Sequence, residues 1–172
     1  MSEIESVKEL NADRFSSEEV DRFSDPGEAR KTAMGYLARR EYGQHELEQK
    51  LLAAGFAAVT AKETIDKLTG EGLQDDRRFI DNFAQSRISQ GKGPVRIRQE
   101  LGERGLDAGL IDEVLEDVAE DWFALARYVR HKKFGPGLPR EFKERARQMR
   151  FLQYRGFESG QVQEAFSPHG DH

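Results

Sequence analysis

From Ala29 to Phe166 apolar residues return at intervals of three and four, and no stretch alternates apolar and polar positions with a period of two. That pattern predicts helices over residues 27–42, 44–54, 58–69, 76–90, 94–104, 108–118, 120–134, 139–155 and 159–167, and an all-α fold class. Ser24-Asp25-Pro26 supplies a start signal for the first, a capping side chain followed by proline. Upstream of Ser24 the apolar period is not sustained, apart from a short amphipathic piece around Val7–Leu10. The composition there predicts a mobile acidic tail over residues 1–25.

The helices fall into three groups of three, marked by a recurring phrase. Leu51-Leu52-Ala53-Ala54-Gly55-Phe56, Leu101-Gly102-Glu103-Arg104-Gly105-Leu106 and Leu152-Gln153-Tyr154-Arg155-Gly156-Phe157 share Leu-x-x-x-Gly-hydrophobic, with the glycines 50 and 51 residues apart. Ten residues after each glycine stands another apolar position, Ile65, Leu115 or Phe166. The phrase has a local cause. A glycine in the left-handed position after a helix pairs the leucine four residues back with the residue that follows, which makes Gly55, Gly105 and Gly156 structural helix C-caps. Its repetition predicts three tandem three-helix modules, over 26–73, 74–119 and 120–168, in an elongated, curved array.

Charge changes this picture because it is segregated. The formal net charge of -5 excludes a protein that is basic all over. Residues 1–30 carry nine carboxylates against four basic residues, so the rest of the chain is neutral in sum. Within it, residues 107–121 hold seven carboxylates and no Lys or Arg, whereas 127–155 holds ten basic residues against Glu141 and Glu144. Two basic stretches therefore flank an acidic one. The first includes Arg87, Lys92, Arg96, Arg98 and Arg104; the second includes Lys132, Lys133, Arg140, Lys143, Arg147 and Arg150. Spacings of three and four put Arg140, Lys143, Arg147 and Arg150 on one helical stripe that also takes in Tyr154, with Phe142, Ala146, Met149 and Leu152 on an adjoining apolar face. These cations are candidate contacts to an acidic protein surface or a nucleic-acid backbone.

The chemistry of catalysis is hard to find. Cysteine is absent, which removes disulfides, thiolate metal sites and thiol nucleophiles and fits a reducing compartment. His45-Glu46 begins a zinc-binding pair that Gln49 leaves incomplete. Gly91-Lys92-Gly93 lacks the flanking residues of a phosphate-binding loop and reads as a flexible connection before Pro94 starts the next helix. Asp75-Asp76 reads as a helix cap with dipole support. Each short glycine turn between helices also resembles a helix-turn-helix, but the second helices carry Lys62, Glu63, Asp66 and Lys67, or Asp112, Glu113, Glu116 and Asp117, which suits DNA poorly. No apolar run is long enough to span a membrane. The expectation is a cytoplasmic protein without cofactor or metal, not an enzyme, and monomeric, since no long apolar heptad seam is present.

Several phrases together resemble a known family. Gly72-Leu73-Gln74-Asp75-Asp76-Arg77-Arg78-Phe79 is followed by Gly91-Lys92-Gly93-Pro94-Val95-Arg96-Ile97-Arg98-Gln99-Glu100-Leu101 and Arg104-Gly105. With Asp121-Trp122-Phe123-Ala124-Leu125-Ala126 and Arg150-Phe151-Leu152-Gln153-Tyr154-Arg155-Gly156-Phe157, their order is similar to that of the bacterial RecX family, over residues 33 to 166. The resemblance implies a non-enzymatic modulator of the RecA recombinase in DNA repair, recombination and the SOS response. Such a protein lies in the groove of the filament on single-stranded DNA and inhibits its extension, ATPase, strand exchange and co-protease activity. The alternative is a helical module that binds single- or double-stranded DNA directly, with no obligate protein partner. The acidic tail lies outside the resemblance.

Overall fold

A computed structural model describes residues 22–118 and 120–168. Among the described residues the regular structure is helical: α1 (Pro26–Leu37), α2 (Gln44–Ala53), α3 (Ala58–Gly70), α4 (Asp76–Ser89), α5 (Pro94–Glu103), α6 (Ala108–Asp117), α7 (Trp122–Phe134), α8 (Phe142–Tyr154) and α9 (Ser159–Glu164). Residues 22–24 are helical as well. The tail expected over 1–25 falls largely outside the described residues.

Local chemistry sets many of the helix starts. Asp25 accepts a hydrogen bond from the Gly27 amide with Pro26 in the first turn, and Asp107 and Asp121 accept from the amides of Leu110 and Ala124. Glu158 and Gln161 form a reciprocal capping box at α9. At the helix ends, Gly55, Gly105 and Gly156 have φ of 103°, 80° and 98°. The amides of Phe56, Leu106 and Phe157 donate to the carbonyls of Leu51, Leu101 and Leu152, the hydrogen bonds of a Schellman turn.

Each group of three helices closes on its own apolar cluster. Leu47, Leu51, Ile65 and Leu68 centre the first; Ile80, Ile97, Leu101 and Leu115 the second; Leu152, Phe157, Val162 and Phe166 the third. The recurring leucine is fully buried in all three, which contributes roughly 1.5–3 kcal/mol per side chain. The chain divides at Asp76 into two compact units, the first holding α1–α3 and the second most of α4 through α9.

Three boundaries differ from the sequence expectation by three residues or more, for physical reasons. Helix α1 stops at Leu37 rather than at 42, because Tyr42 leaves the helical path to be buried beneath the Arg40 guanidinium, 3.6 Å from its ring centre. Helix α8 starts at Phe142 rather than 139, since the preceding loop offers the carbonyls of Pro136 and Gly137 to Arg130. The last helix ends at Glu164, freeing the Ala165 carbonyl to accept from Arg130 Nε at 2.8 Å.

Asp76 does more than support its own helix. One of its oxygens accepts from the Gln44 amide at 2.7 Å and from Gln74 Nε2 at 2.8 Å. It thereby caps α2, whose N-cap residue Gly43 has no side chain for the task.

Candidate interaction surface

The two basic stretches are placed differently. In the second module, three cations converge on one carboxylate: Glu100 accepts from Arg87 at 2.7 Å, while Lys92 and Arg96 lie 3.8 and 3.5 Å away. Burial pushes the Glu100 carboxyl up, but Arg87, then Lys92 and Arg96, outweigh it and hold the group below the usual carboxylate range. Arg96 also donates to the Tyr154 carbonyl at 3.1 Å and stacks on the Tyr154 ring. Arg98 bridges Asp112 at 2.9 Å and Glu158 at 3.1 Å. Arg104 rests over Phe83. These arginines bind α5 to its own module and to the third one.

Backbone completes that junction. The amides of Gly93 and Val95 at the start of α5 donate to the carbonyls of Arg155 and Gly156 at the end of α8, both at 2.9 Å. Orphan donors of one helix thus meet orphan acceptors of another, with their dipoles head to tail. The approach leaves no room for a side chain: a Cβ on Gly93 would sit 2.6 Å from the Phe157 nitrogen, and one on Gly156 would sit 2.7 Å from the Arg96 nitrogen. The reading of 91–93 as a flexible connection is corrected here. Gly91 and Gly93 are buried and held against the third module.

The cations of the third module face outward. Arg140, Lys143 and Arg150 are exposed, with no carboxylate in ion-pairing range among the described residues. Arg147 keeps one partner, Glu144, a turn back on its own helix at 2.8 Å. It also stacks 5.1 Å over Phe134, which meets Phe151 edge-on. Lys133 and Arg155 each approach the Phe151 ring at 5.8 Å, and Lys132 lies 6.0 Å from the Tyr128 ring. The result is a ladder of cations and aromatic rings along α7 and α8.

Exposed aromatics surround the ladder. Tyr154 is 74% exposed within the basic stripe, and Phe142 is 87% exposed. Phe142 was expected on the apolar face; the first turn of α8 overhangs the third core, which begins deeper in the helix at Met149 and Leu152. Between the second and third modules a groove of about 390 Å³ opens beside the ladder, lined on one side by Ile88 and Gly91 and on the other by Tyr128, Lys132 and Phe151.

Arg130 is a functional-looking cation that plays a structural part, and its sequence gave no sign of it. It is 1% exposed and bonds three carbonyls, and burial, followed by the charge of Arg127, pulls its pKa below the usual guanidinium value. No cluster of three metal-ligating side chains exists among the described residues.

Known proteins share this architecture. Sequence descriptions of the first, second and third three-helix domains of RecX match residues 29–68, 75–115 and 119–166. The Regulatory protein RecX of Halorhodospira halophila is 48% identical over 136 residues, spanning 79% of this chain and 84% of its own. That of Pseudomonas entomophila is 44% identical over 132 residues, 77% and 85% of the two chains. The crystal structure of RecX from Lactobacillus salivarius superposes with a TM-score of 0.67 at 19% identity, covering 82% of this chain and 94% of that one.

Proposed function

The chain belongs to the RecX family, and from that premise we propose that it regulates a RecA recombinase by binding its filament on single-stranded DNA. Binding inhibits filament extension, ATPase, strand exchange and co-protease activity, and so modulates DNA repair and recombination, including the SOS response. The protein acts without catalysis of its own, as a monomer in the cytoplasm. The observation that carries the reading is the exposed cation and aromatic surface of the third module, on a chain that matches the family in all three modules.

Within this reading the contact falls mainly to Lys132, Lys133, Arg140, Lys143, Arg147 and Arg150. Arg96 and Arg98 act indirectly, by fixing the second module against the third, and Arg87 and Lys92 support them through the shared carboxylate of Glu100. The deciding measurement is the single-stranded-DNA-dependent ATPase of a RecA recombinase with increasing amounts of this protein. The rate is expected to fall, and an unchanged rate with the protein in excess sinks the proposal. Arg147→Glu with Arg150→Glu is expected to weaken inhibition while the helical circular dichroism stays intact. A bare-DNA titration run alongside separates the direct DNA-binding alternative, which requires tight, steeply salt-dependent binding and no effect on the recombinase.

A further inference from the structure

The groove between α4, α7 and α8 lies where the edges of the second and third module cores meet, and its chemistry is specific. Its floor is hydrocarbon from Ile88, Val129 and Phe151, and Gly91 leaves it open by adding no side chain. The rim carries Lys132, Lys133 and Tyr128, whose ring is 60% exposed, and no carboxylate lines it. Arg155, another lining residue, donates Nη2 to the Gln90 carbonyl at 2.9 Å, while its Nε is buried with no hydrogen-bond partner. An apolar cavity with cations at its edge and an unsatisfied donor suits an anionic ligand bearing a bulky apolar group.

Both single-stranded nucleic acid and acidic polypeptide meet that outline, and the floor discriminates between them. The Gln90 and Gly91 amides are bonded to the Arg87 and Ile88 carbonyls, and the Gln90 carbonyl is taken by Arg155. Beside that apolar floor only Arg155 Nε and the Ser89 and Gln90 side chains are polar, so a nucleobase resting on it leaves most of its edge groups unbonded, whereas a phenylalanine or leucine side chain has none to lose. We propose that this groove binds an acidic polypeptide segment of a partner protein. One bulky apolar side chain rests on Ile88, Val129 and Phe151, and its neighbouring carboxylates meet Lys132, Lys133 and Arg155. The inference deepens the regulatory reading and rests on it only for whose segment this is.

The test is fluorescence anisotropy of a labelled peptide of Glu and Asp around a single Phe, titrated with the full chain. Saturable binding is expected, weakened about tenfold or more by Lys132→Glu with Lys133→Glu, and by a comparable factor, about tenfold, when the peptide's Phe is replaced by Ser. Both lysines are exposed and make only ring contacts, so the variant keeps its fold. Tyr128→Ala, at an exposed ring, is a second variant expected to weaken binding. Absence of binding, equal binding of the Ser peptide, or equal binding by the lysine variant overturns the proposal. So does an oligothymidylate that displaces the peptide more effectively than unlabelled peptide does. The ATPase measurement stays separate: a lysine variant that no longer binds peptide yet inhibits fully refutes the groove as the regulatory contact. A wild-type chain that binds peptide but never inhibits refutes the regulatory reading alone.

Discussion

The arginines of α5 and the cations of α7 and α8 come from stretches of similar basic character, and they end in opposite states. Around Glu100 three cations share one carboxylate, half-buried, with Arg96 also tied to the neighbouring module; along α8 they are exposed and, apart from Arg147, unpaired among the described residues. A local surplus of positive charge therefore says that anions are wanted nearby, and not whether the chain itself supplies them. Where it does, the cations build the joint; where it does not, they stay exposed to solvent.

The largest effect is expected at the joint itself. Gly156→Ala puts a Cβ against Arg96 at a position with φ of 98°, and should cost about 3 kcal/mol or more in urea denaturation. Gly72→Ala, at φ of 74° with open space around it, carries only the backbone strain of about 1 kcal/mol. Equal losses at the two sites would show that close approach of the modules contributes nothing.

Next comes the anion at the centre of the engaged set. Glu100→Gln leaves Arg87, Lys92 and Arg96 without their shared counter-charge and is expected to destabilise by about 1–2 kcal/mol. The wild type should show the same dependence through pH. A carboxyl whose folded pKa is depressed stabilises above its unfolded value, here near 4.5, and that contribution is lost as pH falls through the lower folded value. Urea midpoints measured downward from pH 5 should drop more steeply for the wild type than for Glu100→Gln, and parallel curves would remove Glu100 from this role.

The smallest effect on stability belongs to the outward set. Lys143→Glu with Arg150→Glu breaks no ion pair among the described residues, so the urea midpoint should stay where it is while recombinase inhibition weakens. A shifted midpoint would mean that these cations, too, serve the fold.

Much of the architecture was legible because it rests on local rules. Period, caps and the Leu-x-x-x-Gly phrase depend on residues within a turn or two of one another, and they yield the helices, the turns and the buried leucines. The state of the charges was not legible for the same reason. Among the pairs that build the joint only Arg96–Glu100 is one helical turn apart; Arg87 reaches Glu100 across 13 residues and Arg98 reaches Glu158 across 60. Arg130 is hidden in a run of basic residues, since its acceptors are carbonyls, which every residue has. The groove depends on the meeting of α4 with α7 and α8, which no single-segment pattern encodes.

The backbone joint between α5 and α8 gives the protein a built-in clock. Amides in the first turn of a helix ordinarily face water and exchange their hydrogens fast, but those of Gly93 and Val95 are covered by the carbonyls of Arg155 and Gly156. Their deuterium uptake should report how often the third module lets go of the second. The same two amides would register whether a bound partner clamps the modules together or prises them apart.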